Sequence, residues 1–298
     1  MRVFLTGATG FIGSLLVPEL INAGHHVVGL SRSDAGAEAL ARAGAAVLRG
    51  DVNDLDRLRA AAAAADGVIH AAFNHDFGQL QQSSEDDRKV IATLGRVLAG
   101  SDRPLVITSG TGLARSKTGD PAVETDEHLT SAEFPRAASE EAADALIAQG
   151  GRVMVLRLPQ VHDTHRQGRI TQHILLARQQ GRVAYVGAGR NRLPAVHISD
   201  AVRLYRLALE QGRPGARYHA VAEEGVALRD IAEAIGAGLR LPAESLTPEQ
   251  APAYFGGLTT LAMLDLAASS ALTRRALGWH PTGPDLLTDL RNMAYGTG

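Results

Sequence analysis

The chain has 298 residues, 45% of them apolar and 21% charged, with a formal net charge of −2. That composition is ordinary for a folded globular protein and offers no electrostatic reason to expect nucleic acid or an anionic membrane as a partner. Cysteine is absent, which excludes disulfides, zinc–thiolate sites and thiol catalysis.

The length suits one large domain, or a large domain with a smaller lobe. No apolar run approaches the roughly 18–20 residues that span a bilayer. The first residues are strand-like rather than a secretion signal, so the protein is read as cytoplasmic. There are only two lysines, Lys89 and Lys117, which narrows the choice of any catalytic lysine.

The first element is a short apolar strand, Val3 to Thr6, followed at once by Gly7, Gly10 and Gly13 and then by the amphipathic segment LLVPELINAG. A strand that ends in glycines and turns into a helix can hold a pyrophosphate. Glycine allows the tight turn and the close approach, and the helix N-terminus supplies free N–H groups. The spacing is weak by itself and strong in this setting, at the opening of a βαβ unit. It assigns Gly7, Thr9, Gly10, Phe11, Ile12 and Gly13 to cofactor binding.

Alternation continues along the chain. Strands are expected at 25–30, 45–51, 67–73, 104–110 and 152–159, with helices at 35–43, 55–64, 79–99 and 136–150. Asp54 is the expected cap of the 55–64 helix, and Asp34 is read as a helix cap as well. This rhythm predicts an α/β fold: a Rossmann-type, doubly wound parallel sheet whose strand C-termini form the ligand edge. Residues 111–134 read as a long loop, of a kind that is usually functional or mobile.

After residue 160 the rhythm loosens. Helices are expected at 169–181 and 199–212 (capped by Ser199), with a short strand at 182–187; the segments 216–222 and 226–239 and several short helical pieces complete the chain. The division expected is a dinucleotide-binding domain over 1–160 and a smaller substrate-capping lobe over 161–298, with elements around 182–212 returning to the sheet.

The end of the second strand decides the nucleotide. An acidic residue there binds the ribose hydroxyl of NAD, whereas an arginine accepts the extra phosphate of NADP. Here the strand runs into Ser31-Arg32-Ser33. Arg32 is either a phosphate-binding fork flanked by hydroxyls or a solvated loop charge. The reading adopted is NADP(H) in preference to NAD(H), with Ser31 and Arg32 as its ligands.

With these residues in place, the chain resembles the short-chain dehydrogenase/reductase superfamily, in its extended and atypical branch, over nearly the whole length. TGATGFIG (6–13) matches the branch's glycine motif. GDVND (50–54) resembles the segment that brings Asp51 to the adenine, followed by Val52. HAAF (70–73) is similar to the strand end beside the ribose, which implies cofactor contacts for Ala71, Ala72 and Phe73.

TSG (108–110) resembles the strand end that carries the catalytic serine, here Ser109, with Thr108 beside it. RLPQV (157–161) is similar to the segment against the nicotinamide, which implies roles for Leu158, Pro159 and Val161. AVHISDAV (195–202) resembles the branch's return into the substrate lobe. One departure stands out. Where the family has tyrosine and lysine four residues apart, this chain has Arg136 and Glu140. Arginine cannot serve as a general acid. Glu140 either accepts from the ribose hydroxyls or forms an ordinary (i, i+4) ion pair with Arg136.

The expected function is NADPH-dependent reduction of a small aldehyde or ketone by hydride transfer, with Ser109 orienting the carbonyl. His75, just beyond the fourth strand, is the candidate acid; Tyr185 is the tyrosine expected near the substrate. Two alternatives stay open: a non-catalytic NADP(H) sensor, and an epimerase or dehydratase acting on a nucleotide-linked sugar. His70 and His197 are expected to be structural, His162 is either structural or pocket-lining, and Met154, Met263 and Trp279 are expected to pack. No histidine pair has metal-ligand spacing with a carboxylate, so no metal is expected. The partner expected is a small-molecule substrate, and the oligomeric state stays open, a homodimer included.

Overall fold

The computed structural model describes residues 1–116 and 119–296; Lys117, assigned to a loop from sequence, lies outside them. The first half alternates as its periodicity requires: β1 (Arg2–Thr6), α1 (Gly13–Asn22), β2 (His26–Ser31), α2 (Asp34–Arg42), β3 (Ala46–Arg49), α3 (Leu55–Ala63), β4 (Gly67–His70), α4 (Leu80–Leu98), β5 (Leu105–Gly110), α5 (Ala138–Ala148) and β6 (Val153–Leu158). There follow β7 (Gln160–His162), α6 (Ile170–Gln180), β8 (Val183–Val186), β9 (Arg192–His197), α7 (Ile198–Gln211), β10 (Arg217–His219), β11 (Glu223–Ala227), α8 (Leu228–Leu239) and β12 (Ala243–Leu246). Four short helices end the chain: α9 (Ala251–Phe255), α10 (Thr259–Met263), α11 (Ala271–Leu277) and α12 (Leu286–Asn292).

Seven strands form one sheet in the order β10-β6-β5-β4-β1-β2-β3, and every pairing in it is parallel. Side chains along each strand point alternately to two apolar layers. Val3 and Leu5 face the layer of Leu16, Leu20, Leu204 and Tyr205, which belongs to α1 and α7. Phe4 faces the opposite layer, with Leu58, Ile91, Leu94 and Leu146 of α3, α4 and α5. Burial on both faces explains why these strands read as unbroken apolar runs. The direction of winding reverses between β1 and β4, and the glycine turn leaves β1 at that point, where ligands of such sheets bind.

The lobe contains a three-stranded sheet, β11-β9-β7, and the pair β12-β8. Beneath them lies a core of Ile174, Val183, Ile231, Ile235, Leu286 and Leu290. The chain returns to the large sheet through α7, whose Val202, Leu204 and Leu209 join its core, and through β10. Residues 182–187 do not return, contrary to expectation, because β8 pairs in parallel with β12.

Strand β9 was not expected, since Pro194 interrupts its pattern. The proline is accommodated where the pairing with β11 shifts register, between Leu193 and Ala195, a position that does not need its missing N–H.

Helix starts also correct two expectations. Asp54 caps α3 as read, accepting from Arg57 N at 3.1 Å. Asp34, in contrast, is the first residue of α2, and Ser33 is the cap, accepting from Gly36 N at 3.1 Å. His197 rather than Ser199 caps α7, its Nδ1 accepting from Ser199 N at 3.3 Å.

The long loop is pinned to the rest of the molecule. Leu129 N donates to Leu113 O at 2.8 Å, Ala122 N to Ala267 O at 2.9 Å, and Glu124 Oε1 accepts from both Thr273 N and Thr273 Oγ1 at 2.6 Å. Among the described residues, no helix is long and apolar enough to cross a membrane.

Candidate functional site

The glycine turn is closed too tightly for any other residue. Gly7 has φ +71, and a Cβ on it would lie 2.7 Å from the backbone of Ala71 and Ala72. A Cβ on Gly13 would meet Gly7 O at 2.0 Å. Strand ends β1 and β4 can therefore touch, and α1 can begin directly over them. The Ser14, Leu15 and Leu16 amides of its first turn are taken up by Gly10 O and Ile12 O, and the positive end of the helix dipole lies at the edge where both strands end. This cradle fits a dinucleotide pyrophosphate.

Beyond it, a Cβ on Gly36 would meet Ser31 Oγ at 2.5 Å and Thr9 Cγ2 at 3.0 Å, so Thr9, Ser31 and α2 close on one another. Ser31 is buried, and its hydroxyl donates to Ser33 O at 3.0 Å. Arg32 stands in solvent with Asp51 Oδ2 at 3.6 Å, and its carbonyl accepts from Arg49 NH2 at 3.1 Å. Val52 packs against the α3–α5 layer. Phe11, Ile12, Ala71, Leu158 and buried Val161 pack against the other layer, and half-buried Pro159 lies between the last two.

Arg136 is a tightly held charge at the strand ends. Its NH1 donates to Asp87 Oδ2 at 3.0 Å and to Ser139 Oγ, and its NH2 donates to the Thr108 carbonyl at 2.9 Å. The guanidinium carbon lies 3.9 Å from the centroid of the Phe73 ring, against whose edge His75 stacks at 5.2 Å.

Buried Asp87 also accepts from His70 Nε2 at 2.8 Å and from Ser139 Oγ. Burial raises its carboxyl pKa, but Arg136 and His70 outweigh that and hold it below the usual carboxylate range. His70 reaches Thr6 Oγ1 at 2.7 Å on its other side, and so has the core role expected. His75 lies at the mouth, where partial burial and the Arg136 charge keep its pKa below the ordinary histidine value.

Ser109 and Glu140 are placed differently from the expectation. The serine is buried, and its Oγ donates to Glu140 Oε1 at 2.7 Å. Glu140 also takes Arg157 Nε and NH2, each at 2.8 Å, and Arg217 Nε at 2.9 Å. Both carboxylate oxygens are thus engaged within the protein, and no bond joins Glu140 to Arg136. Burial pushes the Glu140 carboxyl up, but these hydrogen bonds and the Arg157 charge pull it down to about 2.

Thr108 likewise turns inward, its Oγ1 donating to His70 O at 2.9 Å and meeting Tyr205 Oη at 2.6 Å. Tyr185 sits among the lobe packing on β8, its ring edge against Gly189. The structure does not bring it to the strand ends. Fully buried His162 pairs with Asp289 at 2.7 Å rather than lining a pocket. Trp279 and Met154 are buried as expected, but Met263 is 45% exposed. The edge of β10 carries a separate cleft, lined by Asp144, Arg217 and Thr273, and none of the glycine-turn residues reaches it.

Sequence reasoning missed Asp87 as a site residue. Its signal was present: on α4 it shares one face with Ser83, Ser84, Val90, Ile91 and Leu94, all buried, so a carboxylate there required a partner. Arg157, inside the apolar run VMVLRL, carried the same message.

A parallel sheet in this order, with a glycine turn at its switch point, defines a dinucleotide-binding α/β protein. Residues 3–221 match the NAD dependent epimerase/dehydratase family, and the chain belongs to that family, within the extended short-chain dehydrogenases/reductases. Membership implies a nicotinamide dinucleotide cofactor. The chain is 43% identical to the Schizosaccharomyces pombe protein C2A9.02 over 99% of its own length and 100% of that protein's. It is 39% identical to Saccharomyces cerevisiae YLL056C over 98% of both. In fold it is similar to the dTDP-glucose 4,6-dehydratase DesIV of Streptomyces venezuelae, with a TM-score of 0.77, 18% identity and 98% and 96% of the two chains covered.

Proposed function

We propose that the protein is a reductase of small carbonyl compounds that uses NADPH in preference to NADH. The observation that carries this reading is Arg136, a permanent cation fixed over Phe73 by Asp87 and the Thr108 carbonyl. Reduced nicotinamide supplies the hydride when bound. The chain's own task is to stabilise the negative charge that then develops on the carbonyl oxygen. Arg136 spends its NH1 on Asp87 and Ser139 and one NH2 proton on Thr108; its remaining N–H groups are available for that oxygen.

His75, at the solvent mouth beside Phe73, relays the proton from water to the alkoxide. Reduction needs a proton delivered once. An epimerase or dehydratase must also take one back, and Arg136 cannot do so because it does not deprotonate. Arg32 and Arg49, joined at the end of β2, support the preference for the phosphorylated cofactor.

The test is dinucleotide oxidation, followed by absorbance, with NADPH and NADH against a panel of aldehydes and ketones. Turnover by the wild type and a loss of roughly 100-fold or more in kcat for Arg136→Met are expected. No turnover above that of Arg136→Met across the panel would sink the reading.

A further inference from the structure

The turn between β7 and α6, residues 163–169, is firmly built. Gln160 Nε2 donates to the Gln167 carbonyl, and its Oε1 accepts from Ile170 N at 3.3 Å. Asp163 Oδ1 accepts the amides of His165 and Arg166, each at 2.6 Å. Gly168 holds φ +45, with room for no Cβ beside Val161 O at 2.8 Å. The turn follows the C-terminal ends of β6 and β7 and overhangs the glycine turn, because Arg166 Cζ comes within 5.9 Å of the Phe11 ring centroid.

Arg169 closes this turn. Among the described residues it is the arginine that is not exposed and yet donates to no carboxylate, carbonyl or hydroxyl; its Nε is fully shielded and without a partner. Asp163, the acid nearest in sequence, is taken up by its own turn. Burial lowers the Arg169 pKa to about 10. His173, one helical turn on, adds no compensating anion; burial and then the Arg169 charge bring its pKa to about 4. The Arg169 Nε is withdrawn from water without an acceptor, which is unfavourable, and the planar donor fork of the half-buried guanidinium suits a carboxylate or a phosphate.

We propose that Arg169, with Arg166 beside it, binds the carboxylate or phosphate group of an anionic carbonyl substrate. This rests on the reductase reading and narrows its substrate class.

The test compares charged and neutral members of matched pairs, succinic semialdehyde with butanal and glyceraldehyde 3-phosphate with glyceraldehyde, using wild type, Arg169→Met and Arg169→Lys. In at least one pair, wild-type kcat/KM should favour the charged member by roughly 10- to 100-fold. Arg169→Met should collapse that ratio through KM, and Arg169→Lys should keep part of it. The pair that shows the effect distinguishes carboxylate from phosphate.

Equal turnover of both members by the wild type would overturn the proposal. So would a ratio unchanged in Arg169→Met together with weakened dinucleotide binding by nicotinamide fluorescence, which would assign the arginine to the cofactor. Failure to reduce any carbonyl would count against the reductase reading instead. Calorimetric titration of succinate and of inorganic phosphate into the dinucleotide-loaded protein then decides the anion site: heat that Arg169→Met abolishes supports it, and no heat overturns it.

Discussion

Replacing Glu140 by glutamine would remove the single negative charge that Arg157, Arg217 and Ser109 share inside the domain. Arg157 is 0% exposed, so it would be left as a buried cation with weakened acceptors. Breaking one side of such a pair costs about 3–5 kcal/mol. The carboxylate's own titration gives a second figure. A pKa brought from 4.5 to about 2 corresponds to about 3 kcal/mol, at about 1.4 kcal/mol per pH unit.

The direction is fixed by linkage. Because the folded value lies below the unfolded one, the stabilisation is complete above about pH 4.5 and fades as pH falls towards about 2. Urea unfolding of wild type and Glu140→Gln, followed by circular dichroism, should show a gap of about 3 kcal/mol at pH 7 that narrows by pH 3. Adding Arg157→Met to the variant should recover part of the loss, since the fully buried cation is then gone and Arg217 keeps Asp144. A variant within about 1 kcal/mol of wild type at pH 7, with parallel pH profiles and weakened dinucleotide binding, would refute the reasoning. It would also return Glu140 to the cofactor.

Gly7→Ala should raise the dinucleotide Kd at least roughly tenfold and lower the melting temperature, because the left-handed φ costs about 1–2 kcal/mol before the clash with Ala71 and Ala72 is counted; fluorescence titration and a thermal melt measure both effects. Arg32→Ala should weaken NADPH binding roughly tenfold while moving the NADH Kd less than about twofold, the loss of one charge-assisted contact to a phosphate. Equal weakening of both cofactors would remove Arg32 from the phosphate site.

The large sheet was legible because both of its faces are buried, so its strands are apolar runs and its helices carry clear stripes. The glycine turn was legible because its spacing has meaning only between a strand and a helix. Strand β9 was not, since its identity depends on pairing with β7 and β11 around a bulge that accommodates Pro194. Ser109 shows the same limit at the site. A serine at a strand end reads as facing the cleft, but the sheet face it takes is set by register, and here that face presents Glu140. Arg157 lies within an apolar strand and Glu140 on a buried helix face. Nothing local states that two such residues, one on β6 and one on α5, are partners.

The line of contacts from Thr6 through His70 and Asp87 to Arg136 ties the first strand of the fold to the charge at the strand ends. Asp87 offers only lone pairs to His70, Ser139 and Arg136. With Nε2 of His70 donating to it, Nδ1 is left to receive the Thr6 hydroxyl proton. The Thr6 oxygen then faces the amide of Ala72, 3.4 Å away, against which Gly7 is folded. Every proton from the Ala72 amide through Thr6 and His70 therefore points towards the Asp87 carboxylate, which Arg136 meets from the other side. Removing Thr6, His70 or Asp87 leaves a buried neighbour without its partner, so the first strand of the fold and the carboxylate that holds Arg136 are set by one chain of hydrogen bonds.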